Sequence, residues 1–256
     1  MRADRKLWMT ATICAVVAAG VTGCSQGEDK AAADPFKGLT AEAIADKAVA
    51  TTKAATAFRM TGTGTTDGEE MTVDFSVDAK GTCKGSMKAA KGGTAEVIGT
   101  GDTSYMKGNE AFWRSSGGEE GASAGETDAM SNALKGRWLA MPAGADGDTA
   151  AFCDLKAIVK DMDEDTPRKG MTRGDDADVD GKAAATLVKK GDKGETTTFY
   201  VARDAAKPYI LRVVETGGKE PGTMTLGDFD KPVTVTAPPA GETVDMEQLM
   251  KTLTAS

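Results

Sequence analysis

The sequence predicts an α+β domain built on an antiparallel sheet, and three observations predict it. Met71, Val73, Phe75 and Val77 alternate with Thr72, Asp74, Ser76 and Asp78, the period of a strand with one buried face. Segments of similar kind recur between turn dipeptides such as Lys80-Gly81, Gly101-Asp102 and Gly217-Gly218, the residues that hairpins prefer. Two other segments, about 41–54 and 150–162, place their apolar residues at helical spacing instead.

Thr40 can cap the first helix, with Glu42 in its first turn favouring the dipole. Ile44, Ala48, Val49 and Ala55 give that helix one weakly apolar face. Strands are expected at about 58–65, 70–78, 82–88, 94–99, 102–107 and 110–114. Residues 115–126, rich in Gly, Ser and Glu, read as a loop, and 127–135 as a short helix. A strand at 136–141 precedes the second helix, where Phe152, Leu155, Ile158, Val159 and Met162 form an amphipathic stripe. An acidic stretch at 161–181 leads to strands at about 182–190, 195–203, 208–216 and 222–228. Pro232, Pro238 and Pro239 mark an extended tail, and residues 244–253 close the chain as a short helix.

The N-terminus reads as a signal. Arg2, Arg5 and Lys6 precede an uncharged apolar stretch from Leu7 to Val21, then small residues and a polar run. That order describes a secretory signal peptide, with an apolar stretch short for a bilayer core of ~20 residues. Val21-Thr22-Gly23-Cys24 resembles the lipobox of bacterial lipoproteins. The resemblance implies a diacylglyceryl group on the Cys24 thiol and cleavage before Cys24. The alternative is an ordinary signal peptide with a chance cysteine. No Arg-Arg pair suggests twin-arginine export. The expected organisation is a signal peptide at 1–23, a flexible tether at 24–38 and a single domain at 39–256. The polar residues 25–38, behaving as coil, reach on the order of 20 Å.

Charge and composition narrow the function. The chain carries 31 basic and 39 acidic residues. Removing 1–23 takes away three of the former and one of the latter, which leaves a net charge of −10. Phosphate-backbone binding needs a basic footprint, so nucleic acid is excluded as a partner. A polybasic grip on anionic lipid is excluded too, so membrane affinity must come from the lipid on Cys24. The chain has no histidine, which removes the commonest general base, the Ser-His and Cys-His pairs and histidine zinc sites. Cys14 leaves with the signal and Cys24 is the lipid site. Cys83 and Cys153 then remain in an oxidising compartment, where a disulfide is expected. Two free buried thiols are the alternative.

Other motifs are incomplete. Asp176-x-Asp178-x-Asp180-Gly181 opens like a calcium loop, but position twelve holds Leu187 where the loop needs a bidentate Glu. Asp161-x-Asp163-x-Asp165 lacks the Gly and the Glu. Both read as solvated acidic turns. Arg173-Gly174-Asp175 spells an adhesion tripeptide, and three residues match by chance. Glu119-Glu120 falls in the expected loop, a poor place for acid/base chemistry. No phosphate loop or CxxC is present. We expect no metal, no cofactor and no enzymatic activity, and a monomer.

Four pieces, in order, carry a family resemblance. They are Thr103-Ser104-Tyr105-Met106-Lys107-Gly108-Asn109-Glu110-Ala111-Phe112-Trp113, then Gly136-Arg137-Trp138-Leu139, then Thr198-Phe199-Tyr200-Val201-Ala202 with Pro208-Tyr209-Ile210-Leu211-Arg212-Val213, and last Leu226-Gly227-Asp228-Phe229-Asp230-Lys231-Pro232-Val233 with Ala237-Pro238-Pro239. Over about 39–253 the chain resembles the LppX/LprG-type envelope lipoproteins of actinobacteria, related in fold to LolA and LolB. The resemblance implies a strongly curved antiparallel sheet, a half-barrel, with helices on its concave side. It also implies a lipid or glycolipid carried between sheet and helices, and no catalytic residues. Candidate lining residues by strand parity are Met60, Met71, Val73, Phe75, Val77, Met87, Leu211 and Val213. Phe58, Met60, Gly62 and Gly64 share one parity, and inward glycines either open space or let the sheet twist. The eleven methionines after residue 23 suit either an adaptable cavity or core filling. A packed interaction scaffold without a lipid is the alternative function.

Overall fold

A computed structural model describes residues 34–66, 68–119, 124–142, 153–164 and 168–254. Helix α1 (Ala41–Lys53) precedes strands β1 (Ala57–Thr66), β2 (Glu69–Asp78), β3 (Thr82–Ala89), β4 (Thr94–Thr100) and β5 (Thr103–Gly108). Helices α2 (Glu110–Glu119) and α3 (Ala124–Leu134), strand β6 (Trp138–Pro142) and helix α4 (Leu155–Glu164) follow. Then come β7 (Thr172–Arg173), β8 (Ala177–Val179), β9 (Lys182–Lys190), β10 (Thr196–Ala202), β11 (Ile210–Thr216) and β12 (Gly222–Gly227). Strand β13 (Thr243–Asp245) and helix α5 (Met246–Thr254) end the described chain. The strands form one thirteen-stranded sheet in the order β13-β6-β5-β4-β3-β2-β1-β12-β11-β10-β9-β7, with β8 also on β9. The β13–β6 pair is parallel. The other pairs are antiparallel.

Alternation sorts the sheet into two faces. Even positions of β1 pair with odd positions of β2, so Phe58, Met60, Gly62 and Gly64 face Val77, Phe75, Val73 and Met71. This inner face packs with Ile44 of α1, Trp113 of α2, Leu134 of α3, Leu155 and Val159 of α4 and Leu249 of α5 in one apolar cluster. The caps explain where the helices start. Thr40 accepts from the Ala43 amide at 3.2 Å, Asp154 from Lys156 at 2.9 Å and Asp245 from Glu247 at 2.8 Å. Asp163 holds α4 to α1, since it takes Lys53 at 2.7 Å and also binds Arg168, which reaches Asp46. Phe36, in the segment expected as tether, is buried in the core, and Asp34 beside it pairs with Arg173 at 2.7 Å.

Two expectations need correction. Residues 110–114 are helix, not strand, and the helix runs on into the expected loop. Asn109 is the reason: its side-chain Oδ1 accepts from the Phe112 amide at 2.8 Å and from the Thr94 amide at 3.1 Å, which caps α2 and ends β5 together. Residues 124–126 are helical as well. Second, the acidic stretch 161–181 contains β7 and β8. Several of its aspartates are engaged: Asp176 pairs with Arg173 and Arg203, and Asp178 accepts from the Gly181 amide. Phe152 and the start of the second expected helix lie outside the described residues.

Residues 228–242 form a strap. They leave β12, beside β1, and arrive at β13, beside β6. The strap must therefore cross six strand positions spaced about 4.8 Å apart. It crosses the polar face, where Lys84 donates to the Thr234 carbonyl at 3.3 Å. Asp228 and Asp230 take left-handed φ values of 51° and 61°, which turn the chain out of the sheet. The Asp230 carboxylate then collects the Thr56 amide at 3.0 Å, the Tyr209 hydroxyl at 2.7 Å and Lys207 at 3.0 Å. Tyr209 stacks on Phe229 with ring centroids 3.9 Å apart. These donors, the Thr56 amide first, hold the Asp230 carboxyl far below the usual carboxylate range.

The first prediction concerns this hub. Asp230→Asn should cost about 1–3 kcal/mol in urea unfolding at neutral pH. A carboxyl lowered in the folded state contributes stability above its unfolded value and loses it as pH falls through the folded value. The stability gap between the parent and Asp230→Asn should therefore shrink as pH drops below about 4.

Candidate functional site

The inner face is mostly filled. Met60, Phe75, Val77 and Met87 are buried in the core cluster, Phe75 and Val77 completely. Met71, Val73 and Val213 are only half-buried and pack against its edge. Leu211 departs from the expected parity. Tyr200 pairs with Arg212 while Val201 pairs with Ile210. Leu211 is thus the extra residue of a β-bulge, and Ile210 takes the inner position. Leu211 instead packs with Ala55, Val179, Ala184 and Tyr209 in a second, smaller cluster.

The inward glycines decide how much space remains. A Cβ on Gly85 would enter the Phe75 ring. One on Gly108 would meet Phe112 and Trp113, and one on Gly62 would meet the Thr223 carbonyl and the Met224 sulfur. Cys83 and Cys153 are bonded, with Cα atoms 5.2 Å apart, within the range such bridges need. A Cβ on Gly99 would lie 2.9 Å from the Cys153 sulfur and 3.0 Å from that of Cys83, so glycine there makes room for the bridge. These glycines are filled by neighbouring rings and sulfurs. Gly64 differs: nothing lies within 4 Å of where its Cβ would be.

Gly64 pairs with Met71 on one side and Gly222 on the other. Gly62 pairs with Val73 and Met224, and Met224 with Val213. The structure thus gathers Met71, Val73, Val213 and Met224, all half-buried, around a pair of glycines. Met224 was not among the expected lining residues. Its signal was present, because it shares the parity of Leu226, which pairs with inward Met60.

The opposite face is polar. A groove of about 700 Å³ lies there between the sheet and the strap, lined by Arg59, Asp74, Ser76, Lys84, Glu96, Trp138 and Lys231 among others. Arg59 and Asp74 form a bidentate pair at 2.8 and 2.6 Å. The guanidinium holds the Asp74 carboxyl below its ordinary value, and the carboxylate raises Arg59 in turn. A second cavity of about 610 Å³ shares Ser86 and Glu96 with the first and runs to Lys135 and Gly136. Among the described residues no group of three His, Cys, Asp or Glu side chains is placed to hold a metal. No described helix is long and apolar enough to cross a membrane. Cys24 lies outside the described residues.

A sheet with one helix-covered apolar face and one strapped polar face defines an α+β fold. The chain has the fold of LprF from Mycobacterium bovis, at 17% identity and a TM-score of 0.50 over 77% of this chain and 96% of that one. It is also similar to lipoprotein LppX of Mycobacterium tuberculosis, at 15% identity and a TM-score of 0.45 over 77% of this chain and 98% of that one. No protein-family model matches the chain, and no curated protein matches it in sequence.

The glycines give the second prediction. Gly85→Ala must displace the Phe75 ring and should cost about 1–3 kcal/mol in urea unfolding. Gly64→Ala meets open space and should be neutral, or stabilising by up to about 1 kcal/mol.

Proposed function

We propose that the chain is a membrane-anchored extracytoplasmic lipoprotein that binds an apolar chain of a lipid at the open end of its inner face. The observation that carries this reading is the half-buried group Met71, Val73, Val213 and Met224 around the open position at Gly64. Apolar side chains left partly in water gain by covering an acyl chain, ~0.8 kcal/mol per buried CH₂. The sulfur atoms of Met71 and Met224 adapt to an irregular partner. Strong curvature of the sheet, a half-barrel, belongs to this proposal, because it would bring the flanking helices over the bound chain. So does the division into a signal peptide at 1–23, a tether that starts at Cys24 and the domain beyond, with Asp34 and Phe36 of the expected tether already packed on the domain. The role is binding, not catalysis, in keeping with a chain that has no histidine.

A second reading is an envelope interaction scaffold without a lipid. The dense packing of Met60, Phe75, Val77 and Met87 favours it, since those positions leave no room for a ligand.

Two measurements test the proposal. Growth with labelled palmitate should mark the chain, and Cys24→Ser should abolish the label. Native mass spectrometry of the full-length chain after gentle extraction from its own host should show a bound lipid. Val73→Asp, at a half-buried position, should lower that lipid content while leaving the circular dichroism spectrum unchanged. Lipid-free protein would favour the scaffold.

A further inference from the structure

The polar face carries a second feature that the lipid reading does not use. The two cavities of about 700 and 610 Å³ meet at Ser86 and Glu96, which line both. Ser86 and Glu96 are paired directly across β3 and β4. Among the described residues, neither side chain makes a hydrogen bond or ion pair within the chain. Lys88, Lys107 and Lys135 line the second cavity with them, and Lys107 is the cross-strand partner of Glu96 on β5. Lys107 lies 5.7 Å over the Trp138 ring, and Lys88 and Lys135 have no carboxylate partner among the described residues. The other acid there, Glu110, is taken by Arg114 at 3.0 Å. Among the described residues, a chain of net charge −8 thus gathers three ammonium groups in one cavity with two carboxylates, Glu96 and the Arg114-paired Glu110.

The donor and acceptor pattern selects the ligand. An ionised Glu can only accept hydrogen bonds, so whatever sits on Glu96 must bring hydroxyl or amine donors. Lysine ammoniums can only donate, and three together call for an anion, with phosphate the natural match for such point charges. The serine hydroxyl serves either role. A bare anion would be repelled by Glu96, and a neutral sugar would leave the lysines unmatched. The volumes fall in the range of small-molecule sites and exceed what one ring needs.

We infer that the groove running from the strap into the second cavity binds a phosphorylated sugar or polyol, with ring hydroxyls on Glu96 and Ser86 and the phosphate among Lys88, Lys107 and Lys135 of the second cavity. The site lies on the face opposite the apolar end, so it stands or falls independently of lipid binding.

Isothermal titration calorimetry of the purified full-length chain tests this with defined probes. Glucose 6-phosphate should bind at least about tenfold more tightly than either glucose or inorganic phosphate. The double substitution Lys88→Ala, Lys135→Ala, both at exposed positions, should reduce its affinity to that of glucose. Glu96→Gln should reduce it toward that of inorganic phosphate. Glycerophosphoinositol separates the two sources of this chemistry, since a lipid head group carries a phosphodiester and a free sugar phosphate a monoester. The tighter of the two probes assigns the source. Binding of inorganic phosphate as tight as glucose 6-phosphate, binding unchanged in the double variant, or no binding to either phosphorylated probe would overturn the inference.

Discussion

One face of a thirteen-stranded sheet has to be removed from water, and among the described residues five α-helices of 9 to 13 residues do so. Backbone pairing makes the sheet, but it leaves open what covers the apolar side. The helices reach much of it, and the sheet meets them with glycines. Gly85 admits the Phe75 ring, Gly108 the Phe112 and Trp113 rings, and Gly99 the Cys83–Cys153 bridge. Each missing side chain is replaced by a ring or a sulfur from a neighbour, which brings the cover close to the backbone. The bridge also closes a separation of 70 residues, worth roughly 4 kcal/mol in the chain-entropy model. It ties the start of α4 to β3. At Gly64 this filling stops, and the candidate site is what remains of the coverage problem.

The other face follows a different logic. Between β1 and β4 its strands carry Arg59, Asp74, Lys84 and Glu96, so that stretch needs no apolar cover, and a small cluster around Leu211 serves the side of β8, β9 and β11. The strap that crosses it is fixed at its start by the Asp230 hub and touches the sheet again at Lys84. A groove forms because the strap spans a surface without filling it. The two faces therefore offer different chemistry, apolar at Gly64 and hydrogen-bonding under the strap.

Much of this was legible in the sequence where periodicity was clean. The alternation from Met71 to Val77 placed β2 and its inner face, and the glycine turns placed the hairpins around it. The Cys83–Cys153 bond followed from elimination of the other two cysteines. The misses have physical causes. Residues 110–114 carry aromatic residues that suit a strand, but Asn109 caps a helix, and a local cap outweighed propensity. Leu211 shares the parity of Val213 on paper, and a bulge opposite Tyr200 moved it to the other face. Bulges of this kind depend on how two strands align, which one strand cannot reveal. The inward glycines were visible, yet whether each was a void or a socket depended on partners far along the chain.

The central claim is that the open end of the inner face takes an apolar chain. Photocrosslinking the full-length chain with a diazirine-bearing palmitate, followed by peptide mapping, addresses it directly. The account predicts adducts on Met71, Val73, Val213 and Met224, lost when excess unlabelled palmitate competes. Adducts confined to the polar face near Glu96, or scattered adducts that competition does not remove, would contradict it.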